Sequence, residues 1–96
     1  MDSESQVINP AAELDMVSAP QLGRQVIESL AEHPRRLVLD FSGVHLVDSA
    51  AIGVLLSAQR RVRAAGAELV IANASDHVLR VFELTGVQRT LVLEQG

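Results

Sequence analysis

The run Leu37-Val38-Leu39-Asp40-Phe41 constrains this chain more than any other feature. It is nearly continuous in apolar character, as expected of a strand buried on both faces of a sheet rather than one with a wet face. Helical and extended patterns alternate around it. Leu22, Val26, Ile27 and Leu30 form the stripe of an amphipathic helix. Ser18 reads as its N-cap, with Gln21 completing a weak capping box and Pro20 in the tolerated first turn, and Pro34 ends it. After the run, Gly43 turns the chain and Val44 to Val47 lead into Asp48 and Ser49. A second helix follows to Ala65, with Ile52, Leu55, Leu56 and Val62 on one face. Gly66 is its stop, and Arg60, Arg61 and Arg63 lie near its C-terminus, where cations complement the helix dipole. Glu68-Leu69-Val70-Ile71-Ala72 is the next strand. Ser75 or Asp76 caps a third helix carrying Leu79, Phe82 and Leu84, which Thr85-Gly86 ends. Thr90 to Leu93 gives a last extended segment.

Strands alternating with helices imply an α/β layer with largely parallel pairing and right-handed crossovers. At 96 residues the chain holds one domain, expected over 7–96 behind a disordered tail at 1–6. Val7 and Ile8 begin a strand that reaches Leu14, and Pro10, which has no N–H, demotes it to an edge or bulged strand.

Composition narrows the function classes. There is no cysteine, which removes disulfides, thiolate metal sites and cysteine nucleophiles. His33, His45 and His77 share no ligand spacing, so no metal site is expected. Eight basic against twelve acidic residues leave a net charge of −4, which disfavours nucleic acid or an anionic membrane as partner. With only two aromatic residues, both Phe, a pocket for a flat cofactor is disfavoured too, and none is expected. No apolar run approaches the roughly 20 residues of a membrane span. The opening MDSESQ is the opposite of a signal peptide, and a cytoplasmic location is expected.

Several cues coincide at Val47-Asp48-Ser49-Ala50-Ala51-Ile52-Gly53. Ser49 stands where a helix begins, so unpaired N–H groups and a positive dipole end favour negative charge, including a phosphate on its hydroxyl. Ala50, Ala51 and Gly53 leave the surroundings bare enough for another protein's backbone to approach. The same residues also suit a plain structural role, because Ser is a preferred N-cap and small residues let a helix pack tightly. From the residues alone both readings stand. A hydrolase built on Ser49, His77 and Asp15 lacks the Gly-x-Ser-x-Gly elbow. Asp40 suits a metal or ribose contact less well than a loop cap, and no phosphate-cradling glycine spacing occurs. The Arg60, Arg61, Arg63 cluster is either a solvated helix end or a contact for an acidic partner.

Three segments resemble the STAS domain family, and within it the single-domain anti-sigma factor antagonists. Glu13-Leu14-Asp15 with Ser18-Ala19-Pro20-Gln21-Leu22 resembles the family's "GELD…TAP-x-L" entry. Leu37 to Val44, continued by Asp48-Ser49-Ala50-Ala51-Ile52-Gly53-Val54-Leu55, resembles "DLSGV…DSSGLGVL". Phe82-Glu83-Leu84-Thr85-Gly86-Val87 resembles the closing "LTGL" segment. Ala51 stands where the family usually has Gly.

The resemblance implies a central, largely parallel sheet of about four strands backed by helices. With so few residues before Glu13, the first strand is expected to be short or missing, leaving an exposed sheet edge for a weak homodimer. It also implies a regulatory protein without catalysis of its own. Unphosphorylated, such a protein binds an anti-sigma factor that is a serine kinase. Phosphorylation of the serine after the signature aspartate, here Ser49, releases it, and a serine phosphatase resets it. By the same mapping Asp15, Asp48, Ala50, Ala51, Ile52 and Gly53 face the kinase. The competing reading is a non-switching STAS accessory subunit of a lipid-trafficking ABC transporter. Those proteins often carry Thr at the acceptor position, so Asp48-Ser49 favours the switch.

Overall fold

The computed structural model describes residues 4–95. Strands β1 (Ser5–Ile8), β3 (Arg36–Asp40), β5 (Glu68–Ala72) and β6 (Val92–Glu94) form one sheet, in that spatial order and parallel throughout. β2 (Glu13–Leu14) and β4 (Leu46–Val47) form a separate parallel pair. The helices are α1 (Ala19–Ser29), α2 (Ser49–Ala64) and α3 (Asp76–Thr85).

Strand order in the sheet follows chain order, so every right-handed crossover steps the same way and every helix falls on the same face. The register makes this visible. Ile8, Leu39, Ile71 and Leu93 form one row across the four strands, and Val7, Val38, Val70 and Val92 form the next. The first row packs into the core beneath Leu22 and Val26 of α1, Leu55 and Val62 of α2, and Val78 and Phe82 of α3. The valine row looks away from the helices. Val70 at its centre is still fully buried, because the Arg36–Glu94 ion pair spans it, with Glu68 also near Arg36. At the edge, Val7 is 60% exposed.

This corrects the expectation that β3 is buried on both faces. Leu37 and Leu39 are fully buried, but Arg36, Val38 and Asp40 are only half-buried. The expected strand from Val7 to Leu14 is two strands in two ladders, separated at Pro10, which cannot donate to a ladder. The first strand is short but present. It takes in Ser5 and Gln6, in place of the disordered tail expected over 1–6, of which residues 1–3 lie outside the described residues.

Helix ends follow their residues. Ser75 caps α3 through its Oγ, which accepts from Val78 N–H at 3.2 Å, and Gly86 closes that helix at φ +80°. Gly66, at φ +81°, follows the end of α2. Two residues of the expected apolar stripes face water: Ile27 is 43% exposed and Leu84 is 79% exposed. Among the described residues no helix is long and apolar enough to cross a membrane.

Candidate functional site

The short β2–β4 ladder assembles the site. Pairing of Leu14 with Val47, and a bond from Asp48 N–H to the Leu14 carbonyl at 3.1 Å, set the chain after β2 beside the chain after β4. Asp15 and Asp48 therefore emerge side by side at the entrances to α1 and α2. Both carboxylates are employed locally.

Asp15 Oδ1 accepts from the N–H groups of Val17 at 2.9 Å and Ser18 at 3.0 Å, and the Asp15 carbonyl accepts from Ala19 N–H at 2.8 Å. These bonds make Asp15 the residue that turns the chain into α1. The role expected of Ser18 is not found. Its backbone is already helical, so its side chain cannot reach forward to cap, and its hydroxyl donates instead to the Glu13 carbonyl at 2.6 Å. The Ser18 and Val17 N–H groups hold the Asp15 carboxyl below its ordinary 3.8. Asp40 is held down likewise by Ser42 N–H and the Asn73 side chain, so its carboxylate caps the turn after β3.

A depressed carboxylate stabilises the fold fully above its unfolded value and loses that contribution as pH falls through the lower folded value. Melting temperature below pH 3.8 should therefore fall less steeply in Asp15→Asn, which keeps an acceptor oxygen but cannot titrate. Melts from pH 5 down to pH 2 check this.

At α2 the cap is Asp48, and Ser49 is the first helical residue. Asp48 has extended backbone, and its Oδ1 accepts from Ala51 N–H at 3.0 Å. This displaces the expectation that Ser49 is its own cap. Asp48→Ala should thus cost about 0.5–2 kcal/mol, whereas Ser49→Ala should stay within about 0.5 kcal/mol of wild type. Urea titrations of both variants test the assignment, and equal losses would overturn it.

Ser49 is exposed, and its hydroxyl has no hydrogen-bond partner among the described residues. Gly53, one turn on, is exposed too, and a Cβ there would meet nothing within 4 Å. The flank is bare by choice of residue. Ala50 is half-buried. Ala51 and Ile52, expected on the partner-facing surface, are core residues at 1% and 8% exposure. They lie on the inward side of α2 with Leu55, where no partner can reach them.

Two exposed apolar residues outside the motif also lie at this site. Met16 and Val17, directly after Asp15, are 72% and 82% exposed. With Leu46, 43% exposed on β4, they put apolar surface beside Asp15, Asp48 and Ser49. The available signal was an apolar pair inside a turn, where nothing in the fold needs it. Among the described residues no side chain is hydrogen-bonded to Ser49; the Asp15 carboxylate is engaged within its own turn, and His77 is exposed on the first turn of α3.

The site is thus an exposed hydroxyl on a capped helix N-terminus, beside two carboxylates and an apolar rim. The STAS domain family model matches residues 3–95. The chain is 33% identical over 81 residues to the anti-sigma-B factor antagonist of Bacillus subtilis, covering 84% of this chain and 73% of that protein. Its fold is similar to that of the anti-sigma factor antagonist SpoIIAA in its unphosphorylated form, with a TM-score of 0.81 at 21% identity over 98% of this chain and 81% of that one. It is also similar to phosphorylated SpoIIAA of Bacillus, with a TM-score of 0.72 at 20% identity over 98% and 84%. With a match running almost from end to end over this architecture, the chain belongs to the STAS domain family.

Proposed function

We infer that this protein is an anti-sigma factor antagonist controlled by phosphorylation of Ser49. Unphosphorylated, it binds a serine-kinase anti-sigma factor. The kinase phosphorylates Ser49 and the complex parts, until a serine phosphatase restores the hydroxyl. The protein itself is substrate and binding partner, without catalysis. The Bacillus subtilis relative bears the antagonist name, and SpoIIAA exists in both phosphorylated and unphosphorylated forms. The observation that carries the reading is the free, exposed Ser49 hydroxyl on a helix whose cap is a different residue.

Electrostatics supply the switch. A phosphoryl group adds about −1.5 to −2 charges. On the first turn of α2 the helix dipole accommodates them, so the fold stays as it is. In a packed interface the same charge loses water and repels any carboxylate of the partner that faces it. Moving an equilibrium from 99:1 to 1:99 takes about 5.5 kcal/mol, a scale within reach of a desolvated dianion. The outer edge of β1, with exposed Val7, supports weak pairing of two copies; a strict monomer by light scattering at high concentration would remove that part.

The test uses Ser49→Ala and Ser49→Asp as baits in lysate of the source organism, with bound proteins identified by mass spectrometry. A serine-kinase anti-sigma factor held by the Ala bait, and at least tenfold weaker on the Asp bait, is the expected result. Equal binding to both would end the electrostatic mechanism. A transporter ATPase on both baits would place the protein with the lipid-trafficking transporters instead.

A further inference from the structure

Between α1 and α2 lies an open groove of about 250 Å³. Gly23, Ile27, Val54 and Ala58 form its apolar walls, and Arg24 and Arg61 stand at its rim. Both arginines are exposed, and neither forms an ion pair among the described residues. In a chain of net charge −4, this is a local cationic rim around an apolar floor.

The helix residues here are chosen against their own helix. Gly23 sits inside α1, where alanine is the better helix former. A Cβ at that position would meet only Val54 Cγ1, at 3.4 Å, an ordinary contact, so the fold's packing does not require glycine. What a side chain at 23 would do is raise the groove floor. Gly53, with open space where its Cβ would be, follows the same logic one turn after Ser49. The exposed Ile27 also finds a use here, as apolar wall.

The groove adjoins the phosphorylation face. Ser49, Gly53 and Ser57 follow one another at successive turns of α2, and Ser57 lines the groove. Eight residues of helix span about 12 Å. A standard interface buries roughly 800 Å² on each partner, a patch about 16 Å in radius. A patch of that size centred on Ser49 reaches the groove.

We propose that the groove between α1 and α2 receives a segment of the same kinase that docks at Ser49, one presenting a bulky apolar side chain flanked by carboxylates. The apolar side chain fills the space that Gly23 leaves open. The carboxylates meet Arg24 and Arg61, whose attraction survives phosphorylation and keeps the kinase oriented on the serine while it reacts. This rests on the antagonist reading above.

The test compares binding of the purified serine-kinase anti-sigma factor to wild type, to Arg24→Glu/Arg61→Glu, and to Arg60→Glu/Arg63→Glu. The last pair makes the same net-charge change on the same helix or near it, outside the groove. The groove pair is expected to bind at least tenfold more weakly, with reduced salt dependence, and the control pair within about threefold of wild type. Arg24→Gln/Arg61→Gln, which removes the charge without reversing it, is expected to fall between, with thermal melts showing all three folded. Equal losses in the two reversal pairs would reduce the effect to net charge and overturn the proposal. Undiminished binding of the groove pair, with Ser49→Asp still released, would overturn the groove and leave the switch standing. If wild type binds no such kinase, the antagonist reading fails first. A wild-type dimer that Arg24→Glu/Arg61→Glu dissociates would give the groove to a second copy of this chain, and overturn the proposal in that way.

Discussion

Phe82→Ala is expected to destabilise the fold by about 3–5 kcal/mol. Phe82 and Phe41 are the chain's two aromatic residues, both are fully buried, and their ring centroids lie 6.4 Å apart at an interplanar angle of 48°. A tilted pair of this kind adds about 0.5–1.5 kcal/mol to what burial alone supplies. Phe82 anchors α3, and Phe41 begins the turn that leaves β3, so the pair fastens the last helix to the middle of the sheet. A domain of this size has about 5–15 kcal/mol in hand, and the alanine variant should be only marginally folded at room temperature. Phe82→Leu, which keeps most of the volume, should lose much less. Urea denaturation of the two variants decides it. A loss below about 1.5 kcal/mol for Phe82→Ala would mean that the aliphatic neighbours refill the space.

Gln59→Ala is expected to cost about 2–4 kcal/mol, although glutamine is a residue usually found at the surface. It sits on the inward side of α2 at 2% exposure, and its Nε2 donates to the Thr90 carbonyl at 2.7 Å. The bond ties α2 to the segment that leads into β6. Truncation leaves that carbonyl without its partner and opens a cavity, and the two costs add. Gln59→Leu separates them, because it fills the space and still orphans the carbonyl, for about 1–3 kcal/mol. If the leucine variant is as stable as wild type by chemical denaturation, the Thr90 carbonyl has found another donor, and the bond is not what holds β6.

Periodicity disclosed the three helices, and short apolar runs disclosed the strands β3 and β5. Neither could disclose the β2–β4 ladder, which has two residues on each strand and whose partners are more than thirty residues apart. That ladder sets Asp15 beside Asp48, so the site's composition was legible while its assembly was not. Capping was legible in kind and not in place. Asp48 and Ser49 are adjacent and both suited to cap, and the extended backbone at Asp48 decides between them. Ile52 belonged at once to the motif and to the apolar stripe, and the helix phase assigns it, together with Ala51, to the core. Gln59 gave no signal, because its partner is a backbone carbonyl supplied by the fold.

The strand order has a further consequence, for how the molecule is made. Parallel sheets are slow to form when partners lie far apart in sequence. Here each strand of the main sheet joins the one laid down just before it, so the chain can add layers in the order in which it leaves the ribosome. β6 is the last to arrive. It is fastened backwards by Glu94 to Arg36 and, through the loop before it, by Thr90 to Gln59. Completion of the main sheet thus waits on β6, and a chain cut before Val92 would keep Ser49 and its Asp48 cap but leave β5 as a bare edge.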